Sequence, residues 1–190
     1  MPEKLELTAV VLSLIYLILL IQRNIWCWLA GFISSALSIK VMYDYELRIE
    51  PWLYVFYTLV AVYGFIHWKN EDSENLDYSI IELSLTQHIV WICSGIAFTF
   101  LFGWLFDVYS EGESTYLDAF TTGFAIIATV LQTRKVKSNF IYWIIINAAT
   151  VYLYFSRNME FYPWLMIVYL VMSFYGFFKW NELDYSSKRE

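Results

Sequence analysis

Between Phe140 and Phe155 runs an uncharged stretch that carries a tryptophan, an amide and hydroxyls at helical spacing. At 100° per residue, Trp143, Asn147, Thr150 and Tyr154 fall within about 60° of one another, with Phe140 at the border of the stripe. Such a face can bind. It offers an aromatic plane, an amide and hydroxyls, but no nucleophile beside a base. An amide facing lipid is expensive, so Asn147 is expected against protein or a wet cavity. Two uses are open for it: substrate contact, or a hydrogen bond gluing helices together. Thr122, Ala125, Thr129 and Gln132 make a second small, polar stripe, for which close helix packing is the alternative. Tyr57 and Tyr169 sit mid-helix, as pore lining or as core. The corresponding stripe in the first half of the chain (Trp28, Phe32, Ser35, Ile39) is much less polar. The candidate substrate-binding set is therefore Trp143, Asn147, Phe140, Thr150, Tyr169, Gln132, Thr129, Tyr57 and Trp28.

Other chemistries lack their residues. His67 and His88 are the two imidazoles, and no HxxH or HExxH spacing exists to hold a metal. No GxSxG run offers a serine nucleophile, and no Walker lysine loop offers ATP hydrolysis. Cys27 and Cys93 lie far apart in apolar runs, which reads as packing rather than redox chemistry. The chain is expected to be no enzyme, with no cofactor, no metal and no nucleic-acid partner.

The elements that must position these stripes follow from composition. Of 190 residues, 59% are hydrophobic, 21% aromatic and 16% charged, too few charges to cover a soluble globule and too many aromatics for disorder. Seven apolar runs are long enough to cross a hydrocarbon layer: Leu5 to Gln22, Ile25 to Tyr43, Pro51 to Trp68, Leu83 to Phe106, Thr115 to Gln132, Phe140 to Phe155 and Tyr162 to Trp180. Their length predicts helices rather than barrel strands. Glu3 and Glu6 where a signal peptide would be basic, with no small-x-small site after them, argue against a cleaved leader. The fold class is an all-α membrane protein with seven transmembrane helices, in contact with the lipid bilayer, and a homo-oligomer is compatible with it.

Lys4, Lys40, Arg48 and Arg157 fall on one side of such a bundle; the other eight Lys and Arg fall on the second side, which is expected to be cytoplasmic. The N-terminus is then outside and the C-terminus inside. Ten acids, Glu3, Glu6, Asp44, Glu46, Glu50, Asp107, Glu111, Glu113, Asp118 and Glu160, join the outer side, so the net charge of −6 belongs to it. A negative mouth concentrates cations, although solvated loop charge is the plainer reading.

An internal repeat is the strongest signal. PWLYVFYTLVAVYGFIHW (51–68) and PWLMIVYLVMSFYGFFKW (163–180) agree at Pro, Trp, Leu, two Tyr, Gly, Phe and Trp. Upstream, Asn24-x-x-x-Trp28 is set against Asn139-x-x-x-Trp143, and Gln22 against Gln132. This predicts a first three-helix repeat over 1–68, a loop and linker helix over 69–114 with the helix at about 83–106, a second repeat over 115–180 and a polar tail over 181–190. Three helices reverse the chain's direction, and a single linker helix restores a parallel arrangement, a construction known in transporters that hold substrate near the midplane. Gly64 and Gly176 are expected to admit close helix contact, and Trp68 and Trp180 to anchor at the interface.

The 3+1+3 plan, the run TTGFAIIATVLQTRKVKSNFIYWIIIN and the PW, Y and YGFFKW elements after it resemble the PnuC vitamin transporters. The plan also recurs in the SWEET sugar transporters, but the local motifs are similar to PnuC. The resemblance implies a bacterial inner-membrane facilitator that rocks two bundles about a cationic, aromatic B-type vitamin, trapped inside by phosphorylation. In that family a WxxW motif on the helix corresponding to the sixth helps hold a nicotinamide ring. Here it reads Phe140-x-x-Trp143, and an acidic residue often found four positions after the second Trp is Asn147. These exchanges move the expected substrate to thiamine, with nicotinamide riboside the alternative and riboflavin behind it. Both leading vitamins carry a ring cation that suits aromatic faces. A seven-helix ligand-sensing receptor is the remaining rival.

Overall fold

The computed structural model describes residues 2–45, 50–73, 80–109 and 116–187. They form seven α-helices: α1 (Pro2–Ile21), α2 (Cys27–Asp44), α3 (Glu50–Ser73), α4 (Leu85–Tyr109), α5 (Tyr116–Thr133), α6 (Asn139–Ser156) and α7 (Tyr162–Ser187). Every expected run is a helix. Most ends lie within three residues of the apolar boundary, but α3 and α7 continue past Trp68 and Trp180 into polar sequence. Helical hydrogen bonding does not stop where hydrophobicity does, since exposed Lys, Asn and Glu are adequate helix formers.

Among the described residues, four helices are long and apolar enough by themselves to cross a membrane: within them the spans are Lys4–Ile21, Leu85–Leu105, Asn139–Ser156 and Tyr162–Leu183. The shortfall in α2 and α5 has a structural cause. The chain divides into two compact units, residues 1–80 with 175–190, and residues 81–174. In the first, α2 packs on both α1 and α3; in the second, α5 packs on both α4 and α6. A helix covered on two sides can carry polar groups inward, and Ser34, Ser35 and Ser38 of α2 and Thr121, Thr122, Thr129 and Gln132 of α5 are all buried. Within α5, Thr129 donates to the Ala125 carbonyl at 2.7 Å and Thr121 to that of Asp118 at 3.0 Å, while Ser34 of α2 donates across to the Ala9 carbonyl of α1 at 3.0 Å.

Aromatic rings laid over glycines set the close helix contacts. The Tyr16 ring covers Gly31, the Trp28 indole covers Gly64, and the Phe124 ring covers Gly95. A Cβ on Gly64 would lie 2.6 Å from carbons of the Trp28 indole. Gly64→Ala gains about 1 kcal/mol of helix propensity. It also forces a rigid bicycle out of place, for which overpacking typically costs about 1–3 kcal/mol. A lower melting temperature of the purified protein in detergent is the expected result; an unchanged or raised one would show that α3 can slide off α2.

Trp68 and Trp180 correct an expectation. They are not interfacial anchors but fully buried side chains, at 2% and 0% exposure. Trp68 meets Trp28 edge-on at 5.3 Å, and the Trp180 indole N–H donates to the Ile21 carbonyl at 3.2 Å. An N–H that caps an orphan carbonyl at a helix end is better satisfied there than at a headgroup.

The helix boundaries also correct the register of the repeat. Cys27 and Asn139, 112 positions apart, open α2 and α6; Asp44 and Ser156 close them; Ile21 and Thr133 close α1 and α5; Glu50 and Tyr162 open α3 and α7. The spacing is constant and equals that of Pro51 and Pro163. The first connection of each half repeats bond for bond. Arg23 and Lys135 take the left-handed conformation, with φ 56° and 53°. Arg23 N–H donates to Leu20 and Asn24 N–H to Leu19, as Lys135 N–H donates to Gln132 and Val136 N–H to Leu131. This is the Schellman end of a helix, written twice. Trp28 therefore corresponds to Phe140, Gly31 to Trp143 and Leu20 to Gln132. The matches of Asn24 to Asn139, Trp28 to Trp143 and Gln22 to Gln132 are coincidences of residue type, because backbone caps fix a register that single letters do not.

Candidate functional site

The neutral polar residues of the second unit gather along α5, α6 and the start of α7. Trp143, half-buried on α6, donates its indole N–H to Gln132 Oε1 on α5 at 2.8 Å. One turn further, Asn147 Nδ2 donates to Ser173 Oγ on α7 at 3.2 Å, and Ser173 in turn donates to the Tyr169 carbonyl at 2.7 Å. Gln132, Asn147 and Ser173 are each 2% exposed. The stripe on α6 thus exists as expected, and Asn147 faces protein.

The other candidates divide. Phe140 is fully buried, at 1% exposure. The Thr150 hydroxyl donates to the Ile146 carbonyl, as that of Thr129 does to Ala125. Tyr169 is half-buried on α7. Tyr57 and Trp28 belong to the first unit: Tyr57 stands edge-on to Tyr54 at 5.6 Å, and Trp28 is 2% exposed between Tyr16, Gly64 and Trp68. Ser173 was missed from sequence. Its match at the 112-residue spacing is Ala61, so a polar residue replacing a small apolar one was the available signal.

The acids expected from sequence on the outer side behave differently from a solvated mouth. Glu6 and Asp118, again 112 positions apart, are 2% and 1% exposed. Tyr45 Oη donates to Glu6 Oε2 at 2.7 Å, and Arg157 makes an ion pair with Asp118. Tyr45 and Arg157 are themselves 112 apart, so each half ties the start of its first helix to the end of its second. Glu50 is buried too, and Asp44 is bound by Lys40 at 2.7 Å. Asp107 and Glu160 remain exposed, while Glu3, Glu46, Glu111 and Glu113 lie outside the described side chains. Buried acids are structural ties here, because a carboxylate removed from water needs a donor.

At the opposite end, Ile81 pairs with the α5–α6 connection. Its N–H donates to the Lys135 carbonyl at 3.1 Å and its carbonyl accepts from Lys137 N–H at 3.0 Å, with a Lys137–Glu82 ion pair beside them. His88 Nδ1 lies 3.2 Å from Tyr142 Oη, linking α4 to α6. Among the described residues no group of three or more His, Cys, Asp or Glu is placed to hold a metal ion. What the α5–α7 face can do is stack on a flat ring through Trp143 and exchange hydrogen bonds with neutral groups.

Comparison with known proteins gives concordant results. The nicotinamide riboside transporter PnuC of Neisseria mucosa is 27% identical over 169 residues, which is 82% of this chain and 64% of that protein. The chain thus spans somewhat less than two thirds of its curated relative. A crystal structure of the vitamin B3 transporter PnuC superposes with a TM-score of 0.84 at 22% identity, covering 96% of this chain and 82% of the other, which shows a shared fold. The family model described as nicotinamide mononucleotide transporter matches residues 3–182, from the first turn of α1 into the last turns of α7, and the chain belongs to that PnuC family.

Proposed function

We propose that this chain is a membrane carrier for nicotinamide riboside, with the pyridinium ring stacked on the half-buried Trp143 indole. The single observation behind the site is the half-buried indole of Trp143, held by Gln132 beside the buried Asn147–Ser173 pair. The substrate follows the Neisseria relative, which carries the name nicotinamide riboside transporter. Thiamine, put first by the Phe140 and Asn147 exchanges, is named by none of these comparisons and becomes the competitor to be tested. The family's name mentions the mononucleotide, whereas Gln132, Trp143, Asn147 and Ser173 are neutral groups, which supports the riboside.

The finer parts of the reading belong together: parallel three-helix repeats joined by α4 in a 3+1+3 plan, movement of one repeat against the other, diffusion downhill, and phosphorylation inside the cell to trap the product. The constant 112-residue spacing supports the repeat. The basic residues of the connections support an N-terminus outward, and the family resemblance supports a bacterial inner membrane. No step alters the substrate, so the chain acts as a carrier rather than an enzyme.

Proteoliposomes test this directly. Labelled nicotinamide riboside is expected to equilibrate across the membrane without an ion gradient, and to be displaced by unlabelled riboside far better than by thiamine or the mononucleotide. Preferential displacement by thiamine would restore the other vitamin, and uptake that requires a proton or sodium gradient would remove simple facilitation. Ligand binding without flux would favour a receptor.

A further inference from the structure

We propose that Gln132 is a positioning residue: it orients the Trp143 indole through the Nε1–H···Oε1 bond and does not itself contact the substrate. The inference rests on the reading of Trp143 as the stacking ring. Three observations carry it. Gln132 is 2% exposed whereas Trp143 is half-buried, so the surface left for a ligand belongs to the ring and not to the amide. The indole has one polar atom, and its N–H is bonded across α5 and α6 at 2.8 Å, which selects one orientation of a side chain otherwise free to turn about two torsions.

The third observation is the contrast between the halves. At the corresponding positions the first repeat has Leu20 and Gly31, and the ring over Gly31 comes from Tyr16 on α1. The second repeat has Ala128 where the first has Tyr16, and supplies its ring from α6 instead. An apolar contact suffices to pack this place in the first repeat. The second repeat instead buries an amide whose oxygen holds the indole N–H, a polar group that has to be hydrogen-bonded to be buried there.

A double-mutant cycle on nicotinamide riboside affinity, by titration calorimetry with the full-length protein, tests this. Gln132→Leu installs the residue that the first repeat carries at this position, and Trp143→Phe keeps an aromatic ring while deleting the N–H. Each is expected to weaken binding by about tenfold, and the double variant by no more than the larger single effect, because both break the same bond. Additive losses would mean that Gln132 touches the substrate independently, and the proposal falls while the stacking site stands. A Gln132→Leu variant that melts lower but binds normally would reduce the bond to packing and also overturn it. If Trp143→Ala leaves affinity unchanged, the binding face itself is misassigned and both readings fall together.

Discussion

Trp143→Ala is expected to weaken nicotinamide riboside binding by roughly 30- to 1,000-fold, the 2–4 kcal/mol typical of truncating a central aromatic anchor. Two contributions combine. A desolvated ring cation on an indole face gains up to about 2 kcal/mol. Burying the flat surfaces of both rings adds about 25 cal/mol for each Å² of apolar area removed from water. Phe140, one turn earlier on α6, cannot take its place, being fully buried. Calorimetric titration of the purified variant measures the loss. Because Trp143 is half-buried at an interhelical edge, its melting temperature should fall far less than its affinity. An affinity within threefold of the parent protein would displace the substrate from this face.

Arg157→Ala should produce the largest loss of stability among single substitutions outside the apolar core. Asp118 is 1% exposed and stands against the Arg157 guanidinium. Deleting one partner of a buried ion pair costs roughly 3–5 kcal/mol. The corresponding tie in the first repeat offers an internal control. Tyr45→Phe removes a hydrogen bond to Glu6 and should cost less, about 1.5–3 kcal/mol for a bond to a charged group. Thermal unfolding in detergent should therefore order the variants as parent, Tyr45→Phe, Arg157→Ala. Asp118→Asn combined with Arg157→Ala should recover part of the loss, since the buried carboxylate charge is then removed as well. Equal melting temperatures for Arg157→Ala and the parent would show that water reaches Asp118.

The two ties also show where a linear reading stops. Both acids were counted among solvated charges because Glu6 and Asp118 adjoin the ends of apolar runs, where exposed residues are normal. Their partners stand 39 positions away, beyond the reach of any helical period. The 112-residue spacing was present in the PW segments, and carrying it upstream without a gap would have brought both acid–donor pairs into register. Local matches of Asn and Trp obscured it.

Seven helices and the matching PW segments 112 residues apart were written in the order of residues, because span length, hydrophobic content and residue identity are local quantities that need no neighbour to be read. The α6 stripe of Trp143, Asn147 and Thr150 was legible for the same reason: residues three and four apart share a face wherever a helix forms. Which of these groups meet was decided only by tertiary packing. The Gln132–Trp143 and Asn147–Ser173 bonds join helices whose relative rotation depends on rings seated over glycines and on where each helix caps. That rotation turned Trp68 and Trp180 into the core and left part of the Trp143 ring uncovered, since burial belongs to the assembled helices rather than to any one of them.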